Sequence, residues 1–133
     1  MGDVTSSPKG WKLFNVAMAA ICIFAAAVQW NDPDPWMWII LYGLAAAVGF
    51  ITLLAPPDAR LQKIAPMVVG AMAVVGLLLL FPAIGSSEEN ATWGQVFSAW
   101  TMASGTVELL REAGGLLIVL VWMAVLLRSA TRR

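Results

Sequence analysis

Four long apolar runs take up most of this chain, and no other feature limits its fold as strongly. They lie at about 11–29, 36–55, 66–81 and 114–127, and with their flanking turns the last two give spans of about 66–84 and 107–128. An α-helix needs ~20 apolar residues to cross the hydrocarbon of a bilayer, and each span approaches that length. A water-soluble domain of 133 residues could not hide a chain that is 60% hydrophobic and only 12% charged. The expected fold is an all-α membrane protein, a four-transmembrane-helix bundle forming one domain. Residues 1–10 read as a cytoplasmic N-terminal tail, 85–106 as an outer loop and 129–133 as a basic cytoplasmic tail.

The first run is too long for the apolar part of a signal peptide and lacks a clear small-residue cleavage site, so it is read as a span. The sequence has no histidine and one cysteine, Cys22, in the middle of that span. An internal disulfide is thereby excluded, as are the usual ligands of haem, copper and catalytic zinc and the usual proton shuttle near neutral pH. Cys22 reads as core packing.

Net charge is zero, but the charges are divided between the two sides. Four spans put both termini and the loop 56–65 together. That side holds Lys9, Lys12, Arg60, Lys63, Arg128, Arg132 and Arg133 against Asp3 and Asp58, a net of +5. The other side holds Asp32, Asp34, Glu88, Glu89, Glu108 and Glu112 against Arg111, a net of −5. Basic residues flanking spans stay in the cytoplasm. Both termini are therefore expected to be cytoplasmic, in the inner membrane of a bacterium. The basic flanks are topology signals, too sparse for nucleic acid.

Small and polar residues mark the faces that should meet. Asn15, Ala19, Cys22, Ala26 and Gln29 follow helical spacing and form one stripe along the first span. Gly43, Ala46, Ala47 and Gly49 repeat the device in the second, and Gly70, Ala71, Ala73 and Gly76 in the third. Small residues let membrane helices approach closely. "APPDARLQKIAP" reads as a cytoplasmic turn bounded by prolines. Between spans three and four, Trp93, Phe97 and Trp100 recur at helical spacing. They predict a short amphipathic helix at the outer interface, where tryptophan is favoured; a lid or docking surface is the alternative. Asn90-Ala91-Thr92 matches a glycosylation pattern but carries little weight in so compact a loop.

Two polar stretches then stand out. "QWNDPDPWMW", from Gln29 to Trp38, joins the first two spans. Asp34 before Pro35 is an N-cap followed by proline at the first helical position. Asn31 and Asp32 before Pro33 can form a turn, and Trp30, Trp36 and Trp38 can anchor at the interface. One cap suffices for one helix, so Asp32 and Gln29 are surplus. The second stretch is "VELLREAGG", which opens the fourth span and puts Glu108, Arg111, Glu112 and Gly115 on one face. Glu112 sits roughly 9 Å inside the expected helix start, a depth at which a carboxylate faces the bundle or a wet cavity.

Both stretches belong to the outer ends of their spans. Gln29, Asn31, Asp32, Asp34, Glu108, Arg111 and Glu112 can therefore converge at one non-cytoplasmic mouth. Several carboxylates with amide and backbone oxygens suit a hard divalent cation such as calcium, with Asp32, Asp34, Glu108 and Glu112 as the candidate ligands. Alternatively, Arg111 locks Asp32 and Glu112 into a salt-bridged plug. The residues leave both readings open.

Gln29-x-Asn-Asp-Pro-Asp followed by Trp38 and Tyr42, with Glu108-x-x-Arg-Glu-x-x-Gly-Leu116, resembles the transmembrane protein 220 family. That family comprises small multi-span proteins of bacteria and animals with no established biochemical activity. The resemblance covers the first two spans and the start of the fourth; the third span and the aromatic loop match in character. It implies that Gln29, Asn31, Asp32, Pro33, Asp34, Trp38, Tyr42, Glu108, Arg111, Glu112 and Gly115 are signature positions. Leu109 and Leu110 stand where the family pattern is more acidic, which thins a metal site and favours the salt bridge.

The leading expectation is a non-enzymatic membrane protein whose acidic mouth binds a cation or small polar ligand, or holds a partner. The alternative is a scaffold or accessory subunit whose acidic and arginine cluster is a structural lock and whose seven tryptophans help form contact surface. Its partners would be the bilayer and a membrane protein or a second copy. An enzyme is a weaker reading, because no nucleophile–base pair, nucleotide loop or metal-ligand spacing is present.

Overall fold

The computed structural model describes residues 8–31, 35–56, 59–85 and 105–132, leaving aside the side chains at 8, 31, 82–85 and 105–109. Four helices account for nearly all of them: α1 (Pro8–Val28), α2 (Pro35–Leu54), α3 (Leu61–Gly85) and α4 (Gly105–Thr131). A short 3-10 turn, Gln29–Asn31, follows α1. The shortest helix, α2, has 20 residues and so spans ~30 Å, the thickness of a hydrocarbon core. The expected amphipathic helix falls at residues 86–104, outside the described ones.

Helix ends depart from the sequence expectations where local chemistry extends them. α1 begins at Pro8, inside the expected tail, because proline is pre-set for the first helical position and has no N–H to leave orphaned. α4 runs to Thr131, into the expected basic tail. Arg128 in its last turn complements the helix dipole, and the Thr131 hydroxyl donates to the Arg128 carbonyl at 3.0 Å.

The largest correction concerns the expected turn of residues 56–65. Pro66 is not its boundary: α3 already starts at Leu61, and Pro66 is fully buried inside it. The first turn is built on carbonyls just upstream. Gln62 N–H donates to Ala59 O, and the N–H groups of Lys63 and Ile64 donate to Arg60 O, each at 3.0 Å. The Gln62 side chain, 3% exposed, reaches back and donates to the carbonyls of Ala55 at 2.9 Å and Pro56 at 3.1 Å. It thereby satisfies carbonyls that the end of α2 would otherwise leave without donors.

Packing is by hairpins. α1 packs along α2 and α3 along α4, and α2 against α3 joins the two pairs. The core collects Trp11, Ala19 and Cys22 of α1, Leu41, Ala45 and Val48 of α2, Val69 and Ala73 of α3, and Leu116, Val119 and Trp122 of α4. On α1, the stripe predicted from sequence is the one that turns inward: Asn15, Ala19 and Cys22 are buried, and Ala26 and Gln29 half-buried. The small residues of α2 and α3 divide. Ala46, Gly49, Gly70 and Ala73 are buried and Gly76 is half-buried, whereas Gly43, Ala47 and Ala71 point outward. Smallness is neutral toward lipid, so it marks a face only when larger neighbours agree. Large apolar side chains cover the outside, including Leu79 at 74% and Phe81 at 77% exposure. A surface this apolar suits a bilayer and not water.

Candidate functional site

The antiparallel order brings the end of α1, the start of α2 and the start of α4 to one end of the bundle, opposite the termini. Gln29 is half-buried in the 3-10 turn. Trp30 and Trp36 flank the connection edge to face, with centroids 6.0 Å apart, and both are exposed. They occupy the positions of interface anchors. Trp38 does not join them: it is buried, and its ring lies 6.3 Å from that of Tyr42 at an interplanar angle of 30°. Spacing separates the three, since Trp38 and Tyr42 are one turn apart on the inward face while Trp36 lies on another.

Tyr42 fixes α2 against α4. Its hydroxyl lies directly over Gly115, so that a Cβ there would overlap it and would stand 3.1 Å from the ring carbon Cζ. Only a glycine leaves that space. Glu112 is one turn before Gly115 on the same face of α4. It is the eighth residue of α4 and so lies ~10 Å along the helix from Gly105. Arg111 and Glu112 are both half-buried, and both are engaged by neighbouring groups.

The structure thus brings Trp38, Tyr42 and Gly115 together, with Arg111 and Glu112 about one turn earlier on α4 and Gln29 at the same end. Asp32, Asp34 and the side chains of Asn31 and Glu108 lie outside the described residues. Among the described residues, no three carboxylate or thiol groups cluster as metal ligands.

A second polar feature sits deeper. Asn15 is fully buried; its amide donates to Trp11 O at 3.0 Å, and its Oδ1 accepts the indole N–H of Trp122 at 3.0 Å. The bond ties α1 to α4. Trp122 also lies over Gly49, where a Cβ would stand 2.8 Å from its Cη2 and Cζ2 atoms. Sequence reasoning put Asn15 on the inward stripe but missed its partner. The available signal was a tryptophan in mid-span, away from the interface that tryptophan favours and with an N–H that needs an acceptor.

Four apolar helices with a lipid-suited exterior and polar groups gathered at one end define a multi-pass α-helical membrane protein. Residues 21–128 match the family model described as Transmembrane family 220, helix, and the chain belongs to that family. The match includes both the 29–38 connection and the start of α4, but begins after Asn15. No solved structure matches the chain.

Proposed function

We propose that the protein is a non-enzymatic membrane protein whose mouth, at the end opposite the termini, binds a hard cation or a small polar ligand. The observation that carries this reading is the seating of Tyr42 on Gly115, one turn from the half-buried Glu112 on the same face of α4. Glu112 lies ~10 Å along α4 from Gly105. Ionisable groups at such depth in a membrane protein are candidates for function. Asp32, Asp34 and Glu108 are the further acidic groups proposed to complete the site, with Gln29 and Asn31 adding amide oxygens. Calcium fits such a donor set best. Arg111 balances part of the negative charge. The charge division along the sequence supports a cytoplasmic position for both termini in a bacterial inner membrane, so the mouth would open to the outside.

The test is thermal unfolding of the detergent-purified protein titrated with calcium, magnesium and zinc, beside Asp32→Asn and Glu112→Gln. A cation bound only by the folded state adds ~2.7 kcal/mol at a hundred times its Kd. Stabilisation that vanishes in either variant supports the site. No response, together with lower stability in both variants, would make the cluster a salt-bridged lock and the protein a scaffold or accessory subunit.

A further inference from the structure

At the other end of the bundle, α1 and α4 leave an open groove of about 320 Å³ between them. Phe14 and Met18 form one wall, Leu117, Val121 and Val125 the other, and Trp122 the floor. The lining is almost wholly apolar, and Leu117 and Val121 are exposed along it. From Leu117 to Val125 the groove runs ~12 Å along α4, close to the ~15 Å hydrocarbon depth of one leaflet.

What lies beyond Val125 identifies the occupant. Arg128, in the last turn of α4, continues the same face at the next helical step, and Arg132 follows just past the helix end at Thr131; both are exposed. On α1 the corresponding position is Trp11, one turn before Phe14 and stacked on it with centroids 6.0 Å apart. The face that carries an apolar trough of one leaflet's depth thus continues into two arginines.

We infer that this groove holds one acyl chain of an anionic phospholipid from the leaflet nearest the termini. Its phosphate is held by Arg128 and Arg132. Arginine pairs with phosphate through two parallel hydrogen bonds, and a phospholipid phosphate sits where the hydrocarbon ends. The site is independent of the mouth at the opposite end.

The experiment places the full chain in mild detergent with phosphatidylglycerol and phosphatidylcholine of identical acyl chains, and counts retained lipid by native mass spectrometry. The wild type should retain one phosphatidylglycerol per chain, with a preference over phosphatidylcholine of about fivefold for each arginine. The double variant Arg128→Gln/Arg132→Gln lies on the surface and should lose that preference while still binding either lipid weakly. Val121→Trp, or Leu117→Trp if the first does not fold, fills the groove and should abolish retention of both. Equal retention of the two lipids by the wild type would overturn the inference. So would a preference unchanged in the double variant, lipid retained with the groove filled, or a dimer that filling the groove abolishes.

Discussion

Gly115→Ala tests whether the Tyr42 contact sets the distance between α2 and α4. The added Cβ would stand 3.7 Å from Tyr42 Cε1 and 3.1 Å from Cζ, and would overlap the hydroxyl. Carbon atoms rest at ~3.5–4.0 Å, so the first contact is ordinary, the second is short by ~0.4 Å and the third is forbidden. Tyr42 has little room to turn aside, because it is 6% exposed and neighboured by Trp38. α4 must then shift, and overpacking of this kind costs about 1–3 kcal/mol. Tyr42→Phe removes the forbidden atom and leaves a shortfall that small side-chain movements can absorb. The double variant Tyr42→Phe/Gly115→Ala should therefore be more stable than Gly115→Ala alone, with a coupling of about 1–2 kcal/mol. Unfolding free energies of the four proteins, from titration of detergent micelles with sodium dodecyl sulfate, close the cycle. If the two substitutions add to within ~0.5 kcal/mol, the hydroxyl does not sit on Gly115 and the placement of Glu112 falls with it.

Other substitutions probe separate contacts. Asn15→Ala leaves the Trp122 N–H without its acceptor and should lower stability by about 1–2 kcal/mol in the same titration, the upper end of the range for hydrogen bonds between membrane helices. Gly49→Ala pushes on the rigid Trp122 ring and should destabilise by about 1–3 kcal/mol. Gly43→Ala and Gly114→Ala meet nothing within 4 Å and should be neutral or slightly stabilising in melting temperature. Gly76→Ala meets Leu116 Cδ1 at 3.0 Å, the flexible end of a side chain, and should fall between these extremes. Gln62→Ala exposes the carbonyls of Ala55 and Pro56 and should cost about 1 kcal/mol, measured as a lower melting temperature.

The fold was legible because its strongest signal is long-range and simple. Runs of ~20 apolar residues admit few structures, and the α1 stripe was visible because Asn15 and Gln29 disfavour lipid at the positions where Ala19 and Cys22 permit close approach. The same reasoning misled at Gly43, Ala47 and Ala71, which lack a polar companion to orient them. Pro66 misled for a different reason. Proline disfavours a helix interior on average, but the first turns of α3 draw their acceptors from Ala59 and Arg60, and Gln62 serves the preceding helix. At the mouth, spacing sufficed to put Glu112 and Gly115 on one face, but Trp38, expected at the interface with Trp30 and Trp36, turns inward one turn from Tyr42. That α2 and α4 meet through a hydroxyl over a glycine is a matter of helix rotation and approach, and one sequence does not encode those locally. The Asn15–Trp122 pair, separated by 107 residues, was beyond any local pattern.

That separation bears on how the protein is made. A chain emerging from the ribosome delivers α1 first and α4 last, and hairpin packing lets α1 settle against α2 long before α4 exists. During that interval the Asn15 amide is already satisfied by Trp11 O, but its oxygen waits in the hydrocarbon for Trp122. The first span is thus synthesised with a polar debt that only the fourth can discharge. A product truncated before Trp122 would carry an unmatched acceptor in the membrane.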